Sequence, residues 1–206
     1  METIKIWSDR PSEKQAEEIA GYLAGGELVI IPTDTVYAIV CDALNPKAIA
    51  RLCDLKGINP EKNNLSVICS DISMASEYAM IDDDGYRLLK EYLPGPFTFL
   101  FRSGRNLPKA FKGRKTVGIR IPEAATPREI VKVLGHPVLT TSIEFEDDDH
   151  AREPELIAEH YEGRGVRLMV DGGDGGDELS TIVDCTRSAT EPEIIRQGKG
   201  EIFLDS

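Results

Sequence analysis

Leu28-Val29-Ile30-Ile31-Pro32-Thr33-Asp34-Thr35-Val36-Tyr37-Ala38-Ile39-Val40 is the stretch that decides the fold. Its first four residues are apolar and mostly β-branched, the pattern of a strand buried on both faces. Pro32 lacks an amide hydrogen and ends the strand. Thr33, Asp34, Thr35 and Tyr37 then crowd three hydroxyls and a carboxylate into five residues before an apolar run resumes. Two readings stand. Polar groups at the end of a buried strand suit a ligand pocket, because open α/β sheets bind ligands beyond their strand ends. Equally, the same residues can form an Asx or Ser/Thr turn that satisfies only its own backbone.

Outward from this stretch, strands and helices alternate irregularly. Residues 3–7 read as a short strand. Ser12 with Gln15 forms a capping-box pattern, and Ala16, Ile19, Ala20 and Leu23 share a helical face that Gly25-Gly26 closes. Asn45-Pro46 opens a second helix, which Gly57 stops, with Lys56 in its last turn. Lys56 either complements the helix dipole or points into the same cleft as Thr33 and Thr35. Leu65 to Cys69 reads as a strand, followed by a helix capped at Ser73. Asp84 to Leu93 is amphipathic, with Tyr86, Leu88, Leu89 and Leu93 toward the core. Further strands are expected at 97–101, 117–121, 138–142, 166–170, 181–185 and 193–196. Helices are expected from a capping box at Thr126 and from Pro154 to about Tyr161. No linker is long enough to separate two domains. The expected architecture is a single open, twisted, mixed α/β sheet with helices on its faces.

Composition sets limits. The 206 residues are 41% apolar and 29% charged, ordinary for a soluble globular chain. No apolar run approaches a bilayer span and the N-terminus lacks a signal-peptide pattern, so a cytoplasmic protein with no membrane partner is expected. Cys41, Cys53, Cys69 and Cys185 show no CxxC spacing and read as reduced core residues; the three histidines are scattered, so no histidine-based metal site is expected. A net charge of −12 argues against broad binding to nucleic acid. The charge is uneven, however. Glu144 to Glu155 is acidic and reads as a solvated loop, whereas Arg102 to Arg120 is basic and offers a local site for a nucleotide or RNA phosphate. Asp171 to Asp177 is rich in Asp and Gly. It reads as an imperfect calcium loop, a plain turn, or a phosphate cradle to which Ser180 and Thr181 add hydroxyls. Walker and GxSxG patterns are both absent.

Seven motifs in order resemble the YrdC/YciO family: Pro32-Thr33-Asp34-Thr35-Val36-Tyr37, Leu55-Lys56-Gly57, Pro94-Gly95-Pro96-Phe97-Thr98, Thr116 to Pro122, Thr141-Ser142, Ser180 to Asp184, and Ile195-Arg196-Gln197-Gly198. The resemblance covers residues 12–200. It implies an open sheet with a concave cleft. It also implies synthesis of threonylcarbamoyl-adenylate from L-threonine, bicarbonate and ATP with Mg²⁺, releasing pyrophosphate and feeding tRNA threonylcarbamoyladenosine modification. By that resemblance Lys56 and Arg120 stabilise phosphate charge, and Thr33, Thr35, Tyr37 and Ser142 line the substrate cleft. Ser180, Thr181 and Arg196 bind the nucleotide, and tRNA-modification proteins or RNA are implied partners. Longer members carry a second C-terminal domain; this chain ends soon after Arg196, so none is expected. The chain departs from the synthase pattern at Ile58, where a second basic residue is usual, at Leu65-Ser66 and Cys69, and at Glu144, where asparagine is usual. Those departures resemble the YciO branch, and they imply an alternative: a nucleotide- or double-stranded-RNA-binding protein with weak or no synthase activity.

Overall fold

The computed structural model describes residues 1–60, 62–112, 115–143 and 152–203, and for Lys112 the backbone alone. Glu144, Arg114 and most of the acidic stretch lie outside the described residues.

The chain begins with β1 (Glu2–Lys5) and α1 (Glu13–Ala24). The Ser12 hydroxyl accepts from the Gln15 amide and Gln15 Oε1 accepts from the Ser12 amide, so the expected capping box forms. β2 (Leu28–Ile31) and β3 (Ala38–Asp42) form an antiparallel pair around the polar turn. In α2 (Pro46–Lys56), Asn45 accepts from the Lys47 and Ala48 amides, and Gly57 closes the helix at φ 61°. β4 (Ser66–Ile68), α3 (Ile72–Tyr78), β5 (Ala79–Met80), α4 (Asp83–Tyr92), β6 (Phe97–Ser103) and α5 (Lys109–Lys112) follow. Then come β7 (Thr116–Arg120), α6 (Ala125–Leu134), β8 (Val138–Ser142), α7 (Pro154–Tyr161), β9 (Val166–Asp171), β10 (Thr181–Asp184) and β11 (Glu193–Arg196).

Three local expectations are corrected. The cap of α3 is Asp71, which accepts from the Met74 amide, because a carboxylate two residues upstream of Ser73 reaches the same orphan amides. α6 starts before Thr126, with Ala124 at the cap position and no side-chain cap; Thr126 is instead buried in the first turn. Tyr86 faces solvent at 48% exposure, and Gly85 and Leu89 take the inner side of α4.

The strands form one mixed sheet in the order β1-β9-β2-β3-β8-β4-β7-β6-β10-β11, with β5 added to β6. β2 lies inside it and all four of its residues are buried. Successive side chains alternate across a strand. Leu28 and Ile30 accordingly join the larger core with α2, while Val29 and Ile31 join a second core with Ile19 and Leu23 of α1 and Ile130 and Val131 of α6. Each such buried aliphatic side chain contributes about 1.5–3 kcal/mol.

The second core does not extend over the whole face. Val138 of β8 and Ile68 of β4 belong to it and sit opposite each other. Two residues along each strand, on the same face, the pair is Thr140 and Ser66. Ser66 pairs in turn with Gly118 of β7, and Ile68 with Arg120. Farther along, Ile182 of β10 pairs with both Thr98 of β6 and Arg196 of β11. One sheet face therefore changes from an apolar floor under α1 and α6 to a floor of hydroxyls and guanidinium groups.

Among the described residues, no helix is long and apolar enough to cross a membrane.

Candidate functional site

The polar half of that face carries a cleft of about 150 Å³. Thr98, Arg120, Thr140, Ser142, Ser180 and Arg196 supply its polar lining, and Leu52, Ile58, Leu65 and Ile182 its apolar walls.

Arg120 is the most constrained group. It is 5% exposed, and its Nη2 donates to Thr35 Oγ1 at 2.9 Å. Asp34 Oδ1 stands 3.6 Å from the same nitrogen, an ion pair longer than a hydrogen bond. Burial lowers the proton affinity of the guanidinium; Asp34 opposes that shift and Arg196 adds to it. Among the described residues Arg120 Nε has no partner. Arg196, also shifted down by burial, is fixed by donating from Nε and Nη2 to the Ser180 carbonyl at 3.2 and 2.8 Å. The Ser180 hydroxyl lies 2.8 Å from Thr98 Oγ1. Thr140 Oγ1 is buried without a partner as well. A buried polar atom without a partner costs about 1–3 kcal/mol. Arg120 Nε and Thr140 Oγ1 thus mark where a polar or anionic ligand would recover that cost. Two guanidinium groups in a lining without a carboxylate among the described residues favour an anion.

The residues singled out from sequence fall into three sets. Arg120, Ser142, Ser180 and Arg196 line the cleft. Thr33 and Thr35 sit behind Arg120: Thr33 Oγ1 donates to the Val36 carbonyl and contacts Thr35 Oγ1 at 3.0 Å, which holds the hydroxyl that accepts from Arg120. Lys56, Tyr37 and Thr181 are not part of the lining. Lys56 occupies the last turn of α2, and Ile58, two residues on, forms that part of the wall. Tyr37 is fully buried; its hydroxyl donates to the Gly173 carbonyl at 2.6 Å and accepts from the Gly172 amide at 3.0 Å. Thr181 donates to the Gly200 carbonyl and accepts from the Gly198 amide.

The Asp/Gly-rich run packs against the polar turn. Its amides at Gly172, Gly173, Gly175 and Gly176 donate to Tyr37 Oη, Asp171 Oδ1, the Arg152 carbonyl and the Thr35 carbonyl respectively. They are spent inside the protein and present no cradle. A side chain at Gly176 would overlap the Thr35 carbonyl. Among the described residues no group of His, Cys, Asp or Glu has the arrangement of a metal site.

Thr98, Thr140 and Ser66 were missed in the sequence. Thr140 is recoverable from alternation, since it shares a face with Ser142. Ser66 and Thr98 are not, because their place depends on the strand order.

A family model described as telomere recombination, covering Sua5, YciO and YrdC, matches residues 21–198. The chain belongs to the Sua5/YciO/YrdC family. A relative from Haemophilus influenzae is 32% identical over 199 residues, covering 95% of this chain and 94% of its own. Escherichia coli YciO is 29% identical over 204 residues. Its crystal structure superimposes with a TM-score of 0.87, covering 98% of both chains. The threonylcarbamoyl-AMP synthase of Pyrococcus abyssi is 27% identical over 194 residues, and the match spans 92% of this chain but 56% of the synthase. The P. abyssi Sua5 structure complexed with L-threonine shares the fold, with a TM-score of 0.79 at 24% identity over 96% of this chain and 57% of that one.

Proposed function

We propose that the chain is a threonylcarbamoyl-AMP synthase-like enzyme, joining L-threonine, bicarbonate-derived carbon dioxide and ATP and linked to tRNA threonylcarbamoyladenosine modification. The observation that carries this reading is the cleft in which, among the described residues, Arg120 Nε and Thr140 Oγ1 are buried without partners beside Arg196. In the reaction the threonine amine adds to carbon dioxide and loses a proton. A carbamate oxygen then forms a bond to the α-phosphorus, and the bond to pyrophosphate breaks. The protein need form no covalent intermediate; positioning and charge stabilisation suffice. Arg196 and Ser180 would hold phosphate oxygens, and Arg120 and Thr140 the acyl or phosphate oxygens deeper in the cleft. Thr33, Thr35 and Asp34 keep the Arg120 fork oriented. Magnesium would arrive on the ATP phosphates, the usual mode for that ion, since no carboxylate lines the cleft among the described residues.

The test is pyrophosphate release from ATP and bicarbonate with and without L-threonine. Threonine-dependent release is expected, together with weakened ATP binding in Arg196→Ala by about 1.5–3 kcal/mol, the value of a charge-assisted contact. Unchanged ATP affinity in that variant removes Arg196 from the site. A second reading rests on Ile58, an apolar wall residue where the family resemblance implies a cation: a non-catalytic nucleotide or RNA binder using the same face. ATP binding with no threonine-dependent release selects it.

A further inference from the structure

A second concavity, of about 630 Å³, lies at the opposite ends of two strands that build the cleft. Thr98 and Arg102 are four residues apart on β6, about 13 Å at 3.3 Å per residue. Phe101 and Cys185 form the floor; Met80 and the 104–106 turn form one wall, and Thr186 to Ala189 the other. The walls are fixed. β5 pairs with β6 through Ala79 with Ser103 and Met80 with Arg102. The Gly104 amide donates to the Tyr78 carbonyl at 2.7 Å, and Asn106 Nδ2 to the Glu77 carbonyl at 3.0 Å. On the other side Asp184 Oδ1 accepts from the Thr186 amide at 2.8 Å.

Three arginines from two segments, Arg102 and Arg105 at the end of β6 and in the turn after it and Arg187 after β10, line this groove and are exposed. Among the described residues none of their side chains forms a hydrogen bond or ion pair. Elsewhere Arg51 pairs with Glu27, Arg87 with Asp84, Arg152 with Asp177 and Arg167 with Glu2, while Arg10 and Arg164, like these three, have no carboxylate partner among the described residues but stand singly. In a chain with 36 acidic and 24 basic residues, three unpaired guanidinium groups around one groove are conspicuous. Glu77 and Asp82 also line it, but neither reaches an arginine, and Asp82 Oδ1 accepts from the Gly85 amide at the start of α4. Guanidinium forks match the tetrahedral oxygens of phosphate, and several forks match several phosphates. Met80, 63% exposed and opposite Arg102, adds an apolar surface beside them.

We propose that this groove binds a ligand carrying two or more phosphate groups, presented by a nucleic-acid strand or by a free oligophosphate. The basic segment read in the sequence thus serves two places: Arg120 faces the cleft and Arg102 and Arg105 face the groove.

The test titrates a short single-stranded RNA by fluorescence anisotropy and inorganic tripolyphosphate by calorimetry. The proteins compared are the wild type, the triple variant Arg102→Gln, Arg105→Gln, Arg187→Gln, the single variant Arg187→Gln, and Arg196→Ala from the cleft. The triple variant is expected to bind about tenfold or more weakly, with the single variant between it and the wild type. For RNA, the slope of log affinity against log salt should become shallower by about 2, at about 0.7 for each phosphate that is no longer neutralised. A further control, Arg164→Gln, changes an exposed arginine outside both sites and should stay within about twofold of the wild type, while Arg196→Ala reports whatever phosphate the cleft itself takes. A response to RNA alone assigns a strand, and a response to both probes, or to tripolyphosphate alone, assigns free oligophosphate. The proposal is overturned if neither probe binds the wild type, if the folded triple variant binds as the wild type does, or if Arg196→Ala removes the binding instead.

Discussion

Tyr37 ends its buried ring in a hydroxyl shared between the Gly172 amide and the Gly173 carbonyl. Burial pushes that hydroxyl up to about 12; the Gly172 hydrogen bond opposes the shift, and Asp171 and Asp174 add to it. An unfolded tyrosine titrates near 10. Between about pH 10 and 12 the unfolded chain therefore loses this proton first, and stability falls as pH rises. The contribution is whole below about pH 10 and gone above about pH 12, of order 1–2 kcal/mol after allowance for partial solvation. Tyr37→Phe is expected to start about 1–3 kcal/mol less stable, because two backbone groups lose their partner. It should then decline less steeply than the wild type in urea midpoints taken from about pH 9 to about pH 11.5. Parallel declines would exclude Tyr37 as the alkaline-sensitive group.

At the scale of the element, β7 depends on what it omits. A Cβ at Gly118 would overlap the Ser66 hydroxyl and lie 2.9 Å from Thr98 Cγ2, so β4 and β6 could not keep their side chains above it. Gly118→Ala is expected to cost about 1–3 kcal/mol, as overpacking does, and to cut pyrophosphate release by displacing Arg120 two residues away. A variant with unchanged denaturation midpoint and turnover would show that the floor is not tightly built. Element ends were legible where one residue type had one use, as at Asn45-Pro46 and Gly57 of α2. They were not where two residues competed. Asp71 displaced Ser73 as the cap of α3, and burial drew Thr126 inside α6. β5, two residues long, has no periodicity to read.

For the whole molecule, the buried strand at 28–31, the irregular alternation of strands and helices and the family motifs were enough to anticipate a mixed sheet with a concave face. The order of its strands was not legible, because β8 enters between β3 and β4 through pairings far apart in sequence. That order alone brings Ser66, Thr98 and Thr140 to one floor. It also buries all four cysteines, and burial raises each thiol, Cys185 to about 12. A thiol reagent at about pH 8 should thus reach Cys41 and Cys69, which line neither concavity, only as the chain unfolds, with a urea midpoint matching that of circular dichroism. Rapid labelling of either of these two in the native protein would reveal local opening ahead of global unfolding. The face shared by the two halves of the sheet divides labour within single strands: on β8, Val138 anchors α6 and Thr140, about 7 Å along, meets the cleft. Positions 140 and 182, which line the cleft without the close contacts that tie Ser66 and Thr98 to Gly118, can accordingly be randomised together in a directed library, changing ligand choice while the covered half holds the scaffold.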